Sequence, residues 1–146
     1  WSSAREFQAG KISVQTFDYR QPGNRIPVTM NSLNQQGDVP SYEIFDYMGQ
    51  YTHGTYEDGE LLVRNRIEAL ELKGKTFVGS SNCRAMRPGH TFELTQHYEH
   101  DAGSADDRQF LVMNIEHRGS NNYTSGSQAG YGNKFYCVRK KIKFRP

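Results

Sequence analysis

The sequence predicts a mainly β fold, α+β by strict count: a small antiparallel β barrel with one amphipathic helix inserted. Three observations carry this reading. Short runs such as Lys11 to Asp18 (KISVQTFD) alternate with the period of two that a half-buried strand requires. Gly and Pro punctuate the chain between such runs. A single segment, after Asp58, switches to helical period. Several short strands without alternating helices argue against a βαβ architecture.

Taken in order, Ile12, Val14 and Thr16 alternate with Ser13, Gln15 and Phe17 in the first strand. The stretch from Arg20 to Pro40 holds Pro22, Gly23, Pro27, Gly37 and Pro40 among Asn and Gln, so it reads as a connecting arm. Tyr42 to Tyr47 (YEIFDY) is a short aromatic-rich extended run ended by Gly49. Asp58 is placed to cap a helix with Glu60 in its first turn, Val63, Ile67 and Leu70 as its apolar stripe and Gly74 as its stop. That stripe is expected to face the core, with Arg64 and Glu71 pointing away. Strands are then expected over Cys83 to Met86 and Thr91 to His97, joined by a Pro-Gly turn at Arg87 to His90, and again over Phe110 to His117 and Phe135 to Phe144. The polar stretches Glu99 to Gln109 and Gly119 to Asn133 read as surface loops. The parts are therefore 1–41, strand and arm; 42–75, aromatic strand and helix; and 76–146, the barrel, with Lys11 to Asp18 a candidate to close it.

Composition sets bounds. At 146 residues the chain can bury a useful core as one domain or part of one. Aromatics reach 12%, with nine Tyr and eight Phe, which suits a folded chain because disordered ones lack the apolar mass that offsets ordering entropy. The formal charge is +2, and the basic tail Arg139, Lys140, Lys141, Lys143 and Arg145 reads as a solvated strand face in preference to a nucleic-acid surface. Cys83 and Cys137 belong to no metal-binding spacing and read as two buried free thiols. No apolar run is long enough for a membrane helix or a signal-peptide core, so export, if it occurs, is expected to bypass the general secretory route. The first residue is Trp, which suggests a segment of a longer protein.

The search for chemistry finds little. His97, Glu99, His100 and Asp101 form the densest set of possible metal ligands, but strand alternation would send His97 and His100 to opposite faces, so no metal site is expected. Gly126 to Lys134 (GSQAGYGNK) has the glycines of a phosphate loop without its Gly-Lys pair or following helix. No nucleophile elbow and no metalloprotease helix occurs, and nothing singles out a carboxylate pair. No catalytic residue and no cofactor is assigned, which favours a binding or structural role. Two other classes compete with it. A cell-wall glycoside hydrolase would need two carboxylates of divergent pKa in a cleft. A β-type module for nucleic acid or another ligand would use Tyr136, Arg139, Lys141 and Phe144, though these also fit ordinary strand alternation.

Read together, several segments resemble the VgrG family and related phage tail hub proteins. Trp1 with Glu6 to Lys11 (EFQAGK), and then Phe17-Asp18-Tyr19 with Pro22, resembles that family's opening run. Tyr42 to Tyr51 (YEIFDYMGQY) resembles its signature around Asp46, Tyr47, Gly49 and Tyr51, with Met48 in place of the usual proline, so Gly49 or packing must fix the bend. Gly59 to Leu70 (GELLVRNRIEAL) resembles its helix, carrying Arg64, Arg66 and Glu68. Cys83 to Leu94 (CRAMRPGHTFEL) resembles the motif holding Cys83, Arg84, Pro88 and Gly89, and Phe110-Leu111-Val112 with His117 completes the series. The C-terminal Phe144-Arg145-Pro146 resembles the end of the hub region.

The resemblance implies the barrel of the phage tail hub type, with residues 1–146 as the second half of the hub domain, before an OB-fold. It implies a structural piece of a type VI secretion spike and no enzyme. The family's partners are then expected: a homotrimer in the intact protein, a hexameric tube protein of the Hcp kind, and effector or adaptor proteins. No membrane insertion, nucleic acid or cofactor is expected. The protein would reside in the bacterial cytoplasm and be secreted by the machine into the medium or a target cell.

Overall fold

The computed structural model describes residues 1–23, 25–34, 42–50, 52–123, 126 and 128–145. The fold is mainly β with one long helix, as the sequence predicts. The strands are β1 (Ser2–Arg5), β2 (Lys11–Phe17), β3 (Arg25–Asn31), β4 (Glu43–Gln50), β5 (Lys75–Ser81), β6 (Thr91–Glu93), β7 (Gln109–Ser120) and β8 (Gly130–Arg139), with helix α1 (Tyr56–Gly74) between β4 and β5. The chain divides into two compact units, residues 1–5 with 75–141 and residues 6–74 with 142–146.

The first unit is a five-stranded antiparallel sheet in the order β1-β5-β8-β7-β6. In a flat sheet, four strand spacings would hold β1 and β6 roughly 19 Å apart. The ring of Trp1, one residue ahead of β1, instead lies 6.3 Å from that of Phe92 on β6. The sheet must therefore curl around its core of Phe77, Phe110, Val112, Phe135 and Cys137. Trp1 stacks on Phe77 at 5.4 Å and meets Phe110 edge-on at 5.0 Å, so one ring joins both edges of the curl. The strand added beside β5 is Ser2–Arg5 and not Lys11 to Asp18, which pairs elsewhere.

Four further expectations are corrected here. Residues 82–90 form turns where a strand was expected from Cys83, although the Pro-Gly turn is present, with His90 N bonded to Arg87 O at 3.3 Å and Gly89 at φ +80°. The strand from Thr91 stops at Glu93. β8 starts five residues before Phe135 and ends at Arg139, so both ends of the expected polar loop, Gly119 and Ser120 on β7 and Gly130 to Asn133 on β8, are ladder, with 124, 125 and 127 outside the described residues. Of the basic tail only Arg139 lies in a strand, and the tail is paired and not simply solvated: Arg139 and Lys141 reach Asp107 at 2.6 and 2.9 Å in this unit.

The second unit packs α1 on a three-stranded sheet of order β3-β2-β4. β2 runs antiparallel to β3 but parallel to β4, which the strand pattern alone did not indicate. β3 occupies part of the expected connecting arm; Gly37 and Pro40 of that arm lie outside the described residues. The helix begins at Tyr56 because Thr55 caps it: Thr55 Oγ1 accepts from Asp58 N at 3.2 Å and donates to the Asp58 carboxylate at 2.9 Å. Asp58 is thus the third helical residue and not the cap. Val63 and Ile67 are fully buried against Ile12, Val14 and Val28, with Leu70 packed beside them. Arg64 is exposed as expected, but Glu71 is buried. Its carboxylate accepts from Ser32 Oγ at 2.7 Å, Asn34 N at 2.8 Å and the Leu33 amide, so it caps the segment leaving β3. The tail residues Lys143 and Arg145 of this unit pair with Glu68, which is also buried.

Candidate interaction surface

Side chains alternate across a sheet, and α1 covers only one face of β3-β2-β4. Ile12, Val14 and Thr16 face the helix with their register partners Met30, Val28 and Ile26. The opposite face carries Ser13, Gln15 and Phe17 on β2, Arg25, Pro27 and Thr29 on β3, and Phe45 and Tyr47 on β4. Its first row is polar and satisfied. Ser13 Oγ lies 2.8 Å from Thr29 Oγ1 and also donates to Glu43, while Lys11 reaches Glu43 at 3.3 Å. The Ser13 hydroxyl, helped by Lys11, holds the Glu43 carboxyl below its ordinary range.

The next rows are open. Gln15, Thr16, Phe17, Arg25, Phe45 and Tyr47 line a groove of about 380 Å³. Phe45 is 61% and Tyr47 56% exposed on β4, an edge strand. Exposed aromatics on a strand edge are what a protein partner covers. The sequence reading noted the aromatic run at Tyr42 to Tyr47 without assigning it a face; the alternation continued from β2 was the available signal.

The residues singled out by the resemblance sit as follows. Asp18 Oδ1 accepts from Arg20 N at 2.8 Å and so shapes the turn, closed by Gln21 N on Asp18 O at 3.2 Å, that Pro22 follows. Asp46, on the helix side of β4, pairs with Arg66 of α1 at 2.6 Å, and Arg64 pairs with Glu60 at 3.2 Å. Gly49 adopts φ +75° at a register shift between β2 and β4, with Thr16 Oγ1 bonded to its carbonyl at 3.1 Å; here the glycine supplies the bend. Tyr51 lies outside the described residues. In the curled sheet, Cys83 O accepts from Asn133 Nδ2 at 2.8 Å, the Arg84 guanidinium lies 5.2 Å from the Tyr131 ring centre, and His117 Nδ1 lies 2.6 Å from the Tyr131 hydroxyl. Pro88 and Gly89 form the turn beside Val112, with Gly89 N donating to Val112 O at 2.8 Å. The structure thus brings Asp46 to Arg66, and Cys83, Arg84 and His117 to one neighbourhood around Tyr131 and Asn133.

His97 and His100 do not diverge. β6 has ended, a turn follows in which His100 N bonds His97 O at 3.1 Å, and the two rings lie 4.8 Å apart. His100 is buried beneath Trp1 and Phe77, and burial lowers its pKa, with His97 adding to the effect. Among the described residues, no group of three His, Cys, Asp or Glu could hold a metal ion. Cys137 is buried, its thiol pushed up to about 12 by desolvation, whereas Cys83 is exposed, contrary to expectation; both are free. Among the described residues, each carboxylate with a displaced pKa is displaced downward. Asp107 falls to about 2 through bonds from Lys141 and Ser104, Glu68 is lowered chiefly by Arg145, and Glu43 by Ser13. A glycosidase's general acid needs the opposite displacement.

The model of the phage tail baseplate hub (GPD) family matches residues 1–123. The chain belongs to that family. The motif residues of the sequence resemblance from Asp18 to His117 fall inside the matched stretch, and Phe144-Arg145-Pro146 lies beyond it. Among curated proteins, the chain is similar to three type VI secretion system spike proteins of Pseudomonas aeruginosa. Identity is 29% to VgrG1b over 100% of this chain and 19% of that protein, and 30% to VgrG1a over 99% of this chain and 22% of that protein. It is 29% to VgrG1c over 100% of this chain and 20% of that protein. This hub-family chain thus spans about a fifth of the length of these relatives. Among the described residues, no helix is long and apolar enough to cross a membrane.

Proposed function

We propose that this chain is the second half of the hub of a type VI secretion spike. Three copies of the intact protein form a platform that docks on a tube of hexameric rings and helps deliver effector or adaptor proteins. Its work is structural, without turnover, cofactor or nucleic acid. The protein is held in the bacterial cytoplasm until the machine fires and then leaves through it. The observation that carries this reading is the similarity to the three Pseudomonas spike proteins over essentially the whole chain, within a baseplate hub family.

Two features support it. Phe45 and Tyr47 are exposed on an edge strand, which suits a piece of a larger assembly. Lys141, Arg139, Lys143 and Arg145 are engaged by Asp107 and Glu68, which leaves fewer tail cations for a phosphate backbone. The test is the native mass of the full-length protein that contains this chain. Three copies per particle are expected, and a monomer at micromolar concentration overturns the reading.

A further inference from the structure

Among the described residues, strand β7 has no neighbouring strand along much of one side. β8 pairs with it on one side from Phe110 to Ser120. On the other side β6 reaches only Gln109 to Leu111, and Gly89 and His90 bond the backbone of Val112. Among the described residues, 113–120 have no partner strand on that side. The side chains from Glu116 to Ser120 are exposed, so no packed element covers this stretch. An open edge of this length is a template for a further strand.

The sequence along the edge is complementary to itself. Two antiparallel copies centred on His117 set Glu116 of each opposite Arg118 of the other, on one face. Ile115 then meets Gly119, where the missing side chain leaves room, and Asn114 meets Ser120. Centring the pair on Glu116 or on Arg118 sets like charges directly opposite, and centring it between residues matches neither charge. Unlike charges directly across a strand pair stabilise it and like charges oppose it. Within one chain, Arg118 and Glu116 approach only to 3.9 Å, and the Arg118 side chain is 86% exposed, which leaves it able to reach across.

We infer that β7 is a self-recognition strand: a second copy of this chain pairs with residues 114–120 across a two-fold axis at His117. The contact is isologous and would join two curled sheets into one continuous sheet. It goes beyond the spike reading and does not depend on it. A two-fold contact cannot close a three-fold ring, so it joins two separate molecules or assemblies.

The experiment is sedimentation of the 146-residue chain in low salt, from about 10 µM to about 1 mM, a range suited to a small interface. The parent chain, Glu116→Arg, Arg118→Glu and an equimolar mixture of the two variants are compared. The parent is expected to dimerise, and each reversal to weaken the dimer about tenfold or more, because two like-charged contacts arise per dimer. The mixture is expected to restore dimers, since a strand with two cations then meets a strand with two carboxylates. Added salt weakens the parent dimer. Both positions are exposed, and at about 10 µM or below, where the parent is mostly monomeric, far-ultraviolet circular dichroism is expected to match the parent; Arg118→Glu, opposite Gly132, is expected to keep the parent Tm, whereas Glu116→Arg, opposite Lys134 on β8, is expected to melt slightly lower. A monomeric parent, reversals that dimerise as well as the parent, or a mixture no tighter than either variant alone would each overturn the inference.

Discussion

Trp1 donates its indole N–H to Nε2 of His100 at 3.3 Å, which makes the imidazole a neutral acceptor beneath the aromatic cluster of the curled sheet. Protonation would put two donors face to face. The groups around the ring are His97, Lys75 and Arg139, which oppose a further positive charge, and Glu99, which favours it.

The first prediction follows from that pair. Folding holds the His100 pKa below its ordinary value of 6.5, chiefly by burial, so the unfolded chain binds the proton more tightly. Its stabilising effect is complete above pH 6.5 and is lost as pH falls from there through the lower folded value. Thermal melts between pH 8 and pH 5 are expected to show Tm falling on acidification, with the fall reduced in His100→Phe. An unchanged pH profile in that variant would show that another group governs the response.

Ile67 is fully buried between α1 and the β2–β3 pair. Ile67→Val is expected to cost about 1 kcal/mol, and Ile67→Asp about 4 kcal/mol or more, because the latter adds an unpaired buried charge to the lost packing. Chemical denaturation measures both. A parent-like midpoint for Ile67→Asp would mean that the helix does not pack on this sheet.

Phe135 lies over the backbone of Gly79, its partner across the β5–β8 ladder. A Cβ at residue 79 would stand 2.3 Å from Phe135 Cζ. Gly79→Ala is therefore expected to cost about 2 kcal/mol through displacement of a core ring, and Gly79→Ala with Phe135→Leu to recover part of it. Additive losses in the double variant would contradict the contact.

Asp107 anchors the segment before β7 to Lys141 and Arg139, with its pKa near 2 through the Lys141 bond first and Ser104 next. A carboxyl depressed on folding stabilises fully above its unfolded value of about 3.8, and that share is lost as pH falls through about 2. Asp107→Asn is expected to cost about 1 to 2 kcal/mol at neutral pH, a figure discounted for partial exposure, and to flatten stability between those limits. Equal acid sensitivity in parent and variant would contradict this.

What could be read from sequence followed from local chemistry. The stripe Val63, Ile67 and Leu70 fixed the helix and its buried face, and the pattern of Lys11 to Phe17 fixed β2. What was missed depended on distant partners. Ser2–Arg5 has no buried side chain and becomes a strand only because β5 offers an edge. Glu71 is buried because the amides after β3 converge on it, and no periodicity reports that. His100 turns inward because the strand ends at Glu93, so the assumed alternation no longer applied. Of the candidate surface, the aromatic run was visible, but its groove needs Gln15 and Arg25 from the neighbouring strands.

The most direct measurement compares binding to recombinant hexameric tube rings by the full-length protein that contains this chain and by this 146-residue chain at equal protomer concentration. Firm binding by the full-length protein and weak binding by the isolated chain are expected, because linked copies raise the effective concentration of each contact. Equal affinity would place the docking surface in one chain independently of assembly, and absence of binding by the full-length protein would contradict the hub assignment itself.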